Sequence, residues 1–133
     1  MKGYVANIEK LTMANTDFRR VLYTAPHSQL VLMSLMPSEE IGEETHGELD
    51  QFFRIESGIG KAVIDGVEYD ISDGSAVVIP AGTKHNIINQ SQVEPLRLYT
   101  IYSPADHKDG TVHPTKIDAM EDKDDHFDGK LSE

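Results

Sequence analysis

The chain has 133 residues, a formal net charge of −11 and a sequence pI of about 4.8, with room for one domain and a core of its own. That acidic balance excludes nucleic acid and anionic membranes as partners, since both are held through basic patches. There is no cysteine, so disulfides and thiolate ligands are out, and any metal must rest on nitrogen and oxygen donors.

The first residues lack the long apolar run of a signal peptide, and no stretch approaches the ~20 apolar residues of a membrane span. The expected compartment is the cytoplasm. Tyr4 to Ile8 is read as a short strand, and Asn15-Thr16-Asp17 as a turn. Phe18 to Tyr23 alternates around Arg19 and Arg20 and is compatible with an edge strand. Gln29 to Met36 is a nearly continuous apolar run between Pro26 and Pro37, short enough for a strand buried on both faces.

Short β-runs then follow at regular spacing: Phe52 to Ile55, Lys61 to Ile64, Val67 to Ile71, Ala76 to Ile79, His85 to Asn89 and Leu96 to Tyr102. The third is joined to the second by Asp65-Gly66, a pair suited to a type I′ hairpin because both positions need φ > 0. With no convincing helix, the pattern predicts an all-β barrel of jelly-roll type. From Ser103 the composition changes: Pro104, Gly110 and Pro114 interrupt it, and Asp118, Glu121, Asp122, Asp124, Asp125 and Asp128 form an acidic run. Such a segment buries too little apolar surface to offset its ordering entropy, so 105–133 is expected to be a mobile tail. Residues 1–104 are then one barrel domain, with core 31–104 and an N-terminal arm over 1–28.

Two stretches carry chemistry. Gly74-x5-Pro80-x-Gly82-x2-His85-x3-Asn89 sets a histidine at the start of a strand behind a turn fixed by Pro80 and Gly82. Upstream, Gly42-Glu43-Glu44-Thr45-His46-Gly47-Glu48-Leu49-Asp50-Gln51 sets a second histidine ahead of another β-run. The Gly74–Asn89 stretch resembles the second cupin motif at every defined position. The upstream stretch is similar to the first cupin motif with substitutions: His46 matches its first His, Glu48 stands at the second His, Gln51 at the Glu and Gly58 at the closing Gly.

This resemblance to small single-domain cupins spans about Val31 to Pro104 and implies a double-stranded β-helix around a divalent metal, zinc, iron, manganese or nickel. It implies the ligands His46, Glu48, Gln51 and His85. His46 and Glu48, two apart, share a face of an extended strand. Gln51 sits at odd spacing and joins them only if the chain bends, as it does in the family. Glu48 is also a candidate catalytic base, with Asp50 for that role if Glu48 points away.

Phe53 shares a face with Gln51 and is assigned to the pocket with Met33 and Tyr102; Tyr99 and Tyr102 lie on opposite faces of their strand. His27, His107 and His126 are expected to be solvated, while His113 lies in a surface loop or folds over the barrel mouth. In small cupins an N-terminal strand often pairs with a neighbouring subunit, and the similar arm here implies a homodimer. The ligand set is similar to that of small sugar-acid-processing cupins that carry His, His, Gln and His. It implies Lewis-acid chemistry of isomerase or ring-opening type on a compact sugar- or uronate-like small molecule. Two other readings stay open: an iron-dependent dioxygenase, since two histidines and a carboxylate are facial-triad ligands, and a non-catalytic small-molecule-binding barrel.

Overall fold

Asp65 and Gly66 both take positive φ, 49° and 82°, in the computed structural model, which describes residues 1–133. Their left-handed pair closes a hairpin between β4 (Ile59–Ile64) and β5 (Val67–Ser72) in antiparallel register. The remaining strands are β1 (Arg19–Thr24), β2 (Gln29–Leu35), β3 (Asp50–Ser57), β6 (Ala76–Ile79), β7 (His85–Asn89), β8 (Leu96–Ser103) and β9 (Val112–His113). They form a six-stranded sheet in the order β6-β3-β8-β2-β1-β9 and a three-stranded sheet in the order β5-β4-β7. The two antiparallel sheets enclose the core as a jelly-roll barrel.

Burial follows the two-residue period of a strand. In β8 the side chains of Leu96, Leu98, Thr100 and Tyr102 are buried inside, while Tyr99 packs on Phe52 outside at 6.2 Å. In β3 the same alternation puts Gln51, Phe53 and Ile55 inward. The apolar run of β2 is buried on both sides, as its composition suggested: Val31, Met33 and Leu35 join the core cluster, and Leu32 is covered on the opposite face.

Gly60 shows how tightly the sheets are joined. A Cβ there would stand 2.5 Å from the Ile88 carbonyl oxygen and 3.0 Å from Leu96 Cδ2, so only glycine lets β4 lie against β7. Asn89, the last motif residue, donates through Nδ2 to the carbonyls of Leu35, Met36 and Glu94 and accepts from the Ser91 amide. Its role is to tie the loops that flank the barrel.

Two regions differ from the sequence expectation. The strand expected over Tyr4 to Ile8 is absent, and the chain instead forms helix α1 (Ile8–Ala14). The Asn7 side chain accepts from the Lys10 amide as N-cap, and the buried Thr12 hydroxyl bonds back to the Ile8 carbonyl. The helix packs across β2, β3 and β8. Local capping and tertiary cover outweigh a short apolar run that had no partner strand.

The second correction concerns 105–133. This segment adds β9 to the edge of β1, with Arg19 paired to His113, and then forms helix α2 (Lys116–Glu121), capped by Thr115 and Asp118. The Gln29 side chain accepts from the amides of Asp106 and His107 and donates to the His107 carbonyl. The Ser132 amide donates to the Thr24 carbonyl. The acids expected to stay solvated find cationic and imidazole partners: Asp125 accepts from His107 at 2.9 Å and lies 3.6 Å from Arg19, while Asp122 accepts from His113 at 2.9 Å. Ordering is offset by these pairings together with the burial of Ala105 and the packing of Ala119 against the core. His107 is therefore buried rather than solvated, and His113 is buried in β9 rather than set in a surface loop, whereas His27 and His126 are exposed as expected.

Candidate metal centre

Residues 39–46 run beside β7 without forming a named strand. Reciprocal amide–carbonyl bonds of 2.9 Å join Glu44 to His85, and the Ile41 amide donates to the Ile87 carbonyl. Past His46 the chain bends at Gly47–Glu48 before β3 begins at Asp50. This bend decides which side chains reach the barrel interior.

Glu44, His46 and His85 converge, their ligand atoms all within 4.8 Å of one another. Glu44 Oε2 lies 3.2 Å from His46 Nε2 and 4.0 Å from His85 Nε2. Gln51 Oε1 lies 3.2 Å from His85 Nε2. Glu48 does not take part: it is exposed and outside the cluster, because strict alternation from His46 fails where the chain bends. The two donors set two residues apart are thus Glu44 and His46, one step earlier in the chain than the pair His46 and Glu48 read from the motif. The signal that points to Glu44 is its place two residues before His46, which puts both side chains on one face of an extended segment. The donor types are nevertheless those expected: two imidazoles, one carboxylate and one amide oxygen. Asp50, the alternative base, is exposed, and its Oδ1 accepts from the Ala81 amide at 2.9 Å, tying the Pro80–Gly82 turn to β3.

Hydrogen bonding fixes the direction of the lone pairs. The Thr83 carbonyl can only accept, so His85 donates to it from Nδ1 at 2.9 Å, which leaves Nε2 of the neutral ring as an acceptor. The Thr100 hydroxyl donates to the Phe52 carbonyl at 2.8 Å and accepts from Gln51 Nε2 at 3.0 Å. That chain of bonds turns Gln51 Oε1 toward His85. Gln51 Oε1 and His85 Nε2 stand 3.2 Å apart with a carboxylate oxygen close by, an arrangement that a shared proton satisfies and that a metal cation would satisfy as well. The residues present therefore fit a divalent ion with mixed nitrogen and oxygen ligands, and Thr83 and Thr100 act as the outer supports such ligands need.

Charge is arranged accordingly. Burial works against ionisation of Glu44 most strongly, but the hydrogen bond and charge of His46, with Arg19 and His85, hold its carboxyl below the ordinary value. The same hydrogen bond raises the pKa of His46, and Asp106, whose Oδ1 is 3.9 Å from His46 Nδ1, adds to the effect against opposing burial. Of the expected pocket residues, Phe53 lies 6.3 Å from the His85 ring, and Tyr102 stands edge-on to His46 at 5.9 Å. Burial drives the Tyr102 hydroxyl pKa far up, so it stays protonated. Met33 is fully buried within the core cluster.

An all-β double-sheet barrel with such a donor cluster inside it defines a cupin. The cupin-domain model matches residues 31–102, and the chain belongs to that family. It is 46% identical over 125 residues to the protein YrkC of Bacillus subtilis (strain 168), spanning 90% of this chain and 67% of that one. The crystal structure of BH2720 from Bacillus halodurans superposes with a TM-score of 0.88 at 43% identity, covering 91% of this chain and 96% of that one. KdgF from Halomonas sp. shares the fold, with a TM-score of 0.61, 20% identity and coverage of 65% and 77%. No helix is long and apolar enough to cross a membrane.

Proposed function

We propose that this cupin is a metal-dependent enzyme acting on a compact, oxygen-rich small molecule, a sugar or uronate derivative, in an isomerisation or ring opening. The observation that supports it is the convergence of Glu44, His46, Gln51 and His85, with His85 oriented by the Thr83 carbonyl and Gln51 by the Thr100 hydroxyl. A divalent ion held there would supply Lewis-acid chemistry toward a carbonyl or hydroxyl of the substrate. Glu44, His46, Gln51 and His85 would hold it, with one negative charge among them. Tyr102, kept protonated, supplies an O–H that donates without ionising. Asp106, with Oδ1 3.9 Å from His46 Nδ1 and Oδ2 3.6 Å from His107 Nε2, is the carboxylate beside the donors and takes the part of base given earlier to Glu48. A homodimer is the proposed assembly, to be checked by light scattering in solution.

Elemental analysis of protein purified without chelator tests the reading, together with the Glu44→Ala, His46→Ala, His85→Ala and Glu48→Ala variants. The expected result is one first-row metal per chain, lost in the first three variants and retained in Glu48→Ala. Absence of metal, with no binding of added manganese, iron, nickel or zinc, defeats it and leaves a barrel that only binds small molecules. The two-histidine, one-carboxylate set favours iron dioxygenase chemistry as the second reading. Iron in the protein together with oxygen uptake selects it over zinc or nickel and an isomerase.

A further inference from the structure

Beside the donor cluster lies a cavity of about 160 Å³ lined by Phe18, Arg19, Ile41, Glu44 and, from α2, Lys116, Ala119 and Met120. In a chain of net charge −11, two cations face this one space against a single carboxylate. That carboxylate is Glu44, whose charge a ligated ion would engage.

Arg19 is the unusual member. Its side chain is 8% exposed and lies over the Phe18 ring at 5.3 Å, and of its nitrogens only Nη1 is paired, 3.3 Å from His113 Nδ1 and 3.6 Å from Asp125 Oδ2. Nε is buried with no hydrogen-bond partner, and Nη2 makes no hydrogen bond. These two atoms form one edge of the guanidinium fork, the edge that matches the two oxygens of a carboxylate. A buried guanidinium held by one corner, with its pairing edge unused, is a group arranged for a ligand. Lys116 belongs to none of the ion pairs and adds a flexible positive charge across the cavity.

We propose that Arg19 and Lys116 form a carboxylate-binding subsite, which places the acid group of the substrate in this cavity and its reacting oxygen toward Glu44 and His46. This rests on the metal-enzyme reading for the second half of the statement, and on the cavity alone for the first. The C-terminal segment therefore belongs to the site, since Lys116 comes from α2 and His113 and Asp125 hold Arg19 in place.

The test is calorimetric titration of the full chain with glycolate, malonate and D-glucuronate, with D-glucose as neutral control, while the Arg19 Nε–H resonance is followed by NMR. At least one carboxylate is expected to bind ten or more times tighter than glucose and to shift that resonance. Arg19→Lys keeps the charge but loses the fork, and should weaken binding about 10- to 100-fold; Lys116→Ala, on the half-exposed helix, should weaken it several-fold without affecting folding. If no carboxylate binds, or if glucose binds equally well, the proposal is overturned. Unchanged affinity in folded Lys116→Ala and Arg19→Lys overturns it as well. Repeating the titration in His85→Ala separates the two readings: carboxylate binding that still depends on Arg19 there supports the subsite even if the metal assignment fails.

Discussion

Replacing Thr100 by valine removes one hydroxyl and keeps the shape of a fully buried side chain. Gln51 Nε2 then loses its 3.0 Å acceptor inside the barrel, and the Phe52 carbonyl loses a 2.8 Å donor. The carbonyl keeps a place in the β3 ladder, so the cost falls mainly on the amide, about 1–3 kcal/mol for a buried donor left unpaired. That corresponds to a fall in Tm of roughly 3–12 °C for a domain of this size. The amide is also free to rotate, so Oε1 no longer points at His85 by necessity. Loss of an outer support of this kind lowers metal affinity about 10- to 100-fold. Titration with zinc against a competing chelator reads the affinity, and a thermal melt of the chelated protein reads the stability. Thr24→Val is the control, because Thr24 accepts from Gln29 Nε2 at 2.9 Å in a similar buried pair that includes none of the four donors. If both variants lose stability but hold zinc equally well, Gln51 is not held as a ligand and the lone-pair reasoning is wrong.

Asp125→Ala should cost about 2–3 kcal/mol, since it strands His107 Nδ1 and removes the carboxylate paired with buried Arg19; proteolysis should then begin within 105–133 while the barrel stays intact. Acid should release the same segment. Burial opposes ionisation of Asp125, but His107, Arg19 and His113 together hold its pKa low, and the His113 hydrogen bond is the main cause lowering that of Asp122. The stability these two carboxylates supply is present above the ordinary carboxyl value of about 3.9 and lost as pH falls through their depressed values. Hydrogen exchange should therefore show amides of 105–133 losing protection below about pH 4 before those of β3 and β8; simultaneous loss would refute the local account. Gly60→Ala should destabilise by about 3 kcal/mol in urea unfolding, because its Cβ meets the Ile88 backbone oxygen at 2.5 Å.

The sequence by itself determined the elements whose cause is local. A type I′ turn at Asp65-Gly66 needs only two residues tolerant of positive φ, and both take it. Two-residue alternation in Leu96 to Tyr102 was enough to put Tyr99 and Tyr102 on opposite faces, and the structure has Tyr102 inside. The Pro80–Gly82 turn was enough to set His85 at the start of its strand. The tertiary structure decided matters that depend on the path of the chain and on distant partners. Alternation points side chains only while the backbone is extended; the bend at Gly47–Glu48 broke it and took Glu48 out of the donor cluster, while the pairing of Glu44 with His85 across the barrel wall brought Glu44 in. The acidic run read as solvated because its composition offers little to bury. Its fate was settled by Arg19 and His113, 94 residues apart in the chain, and by His107 and Asp125, 18 apart, whose pairing no local count of charges can show. Periodicity reports what each residue does to its neighbours along the chain, whereas a site is made where separate stretches meet.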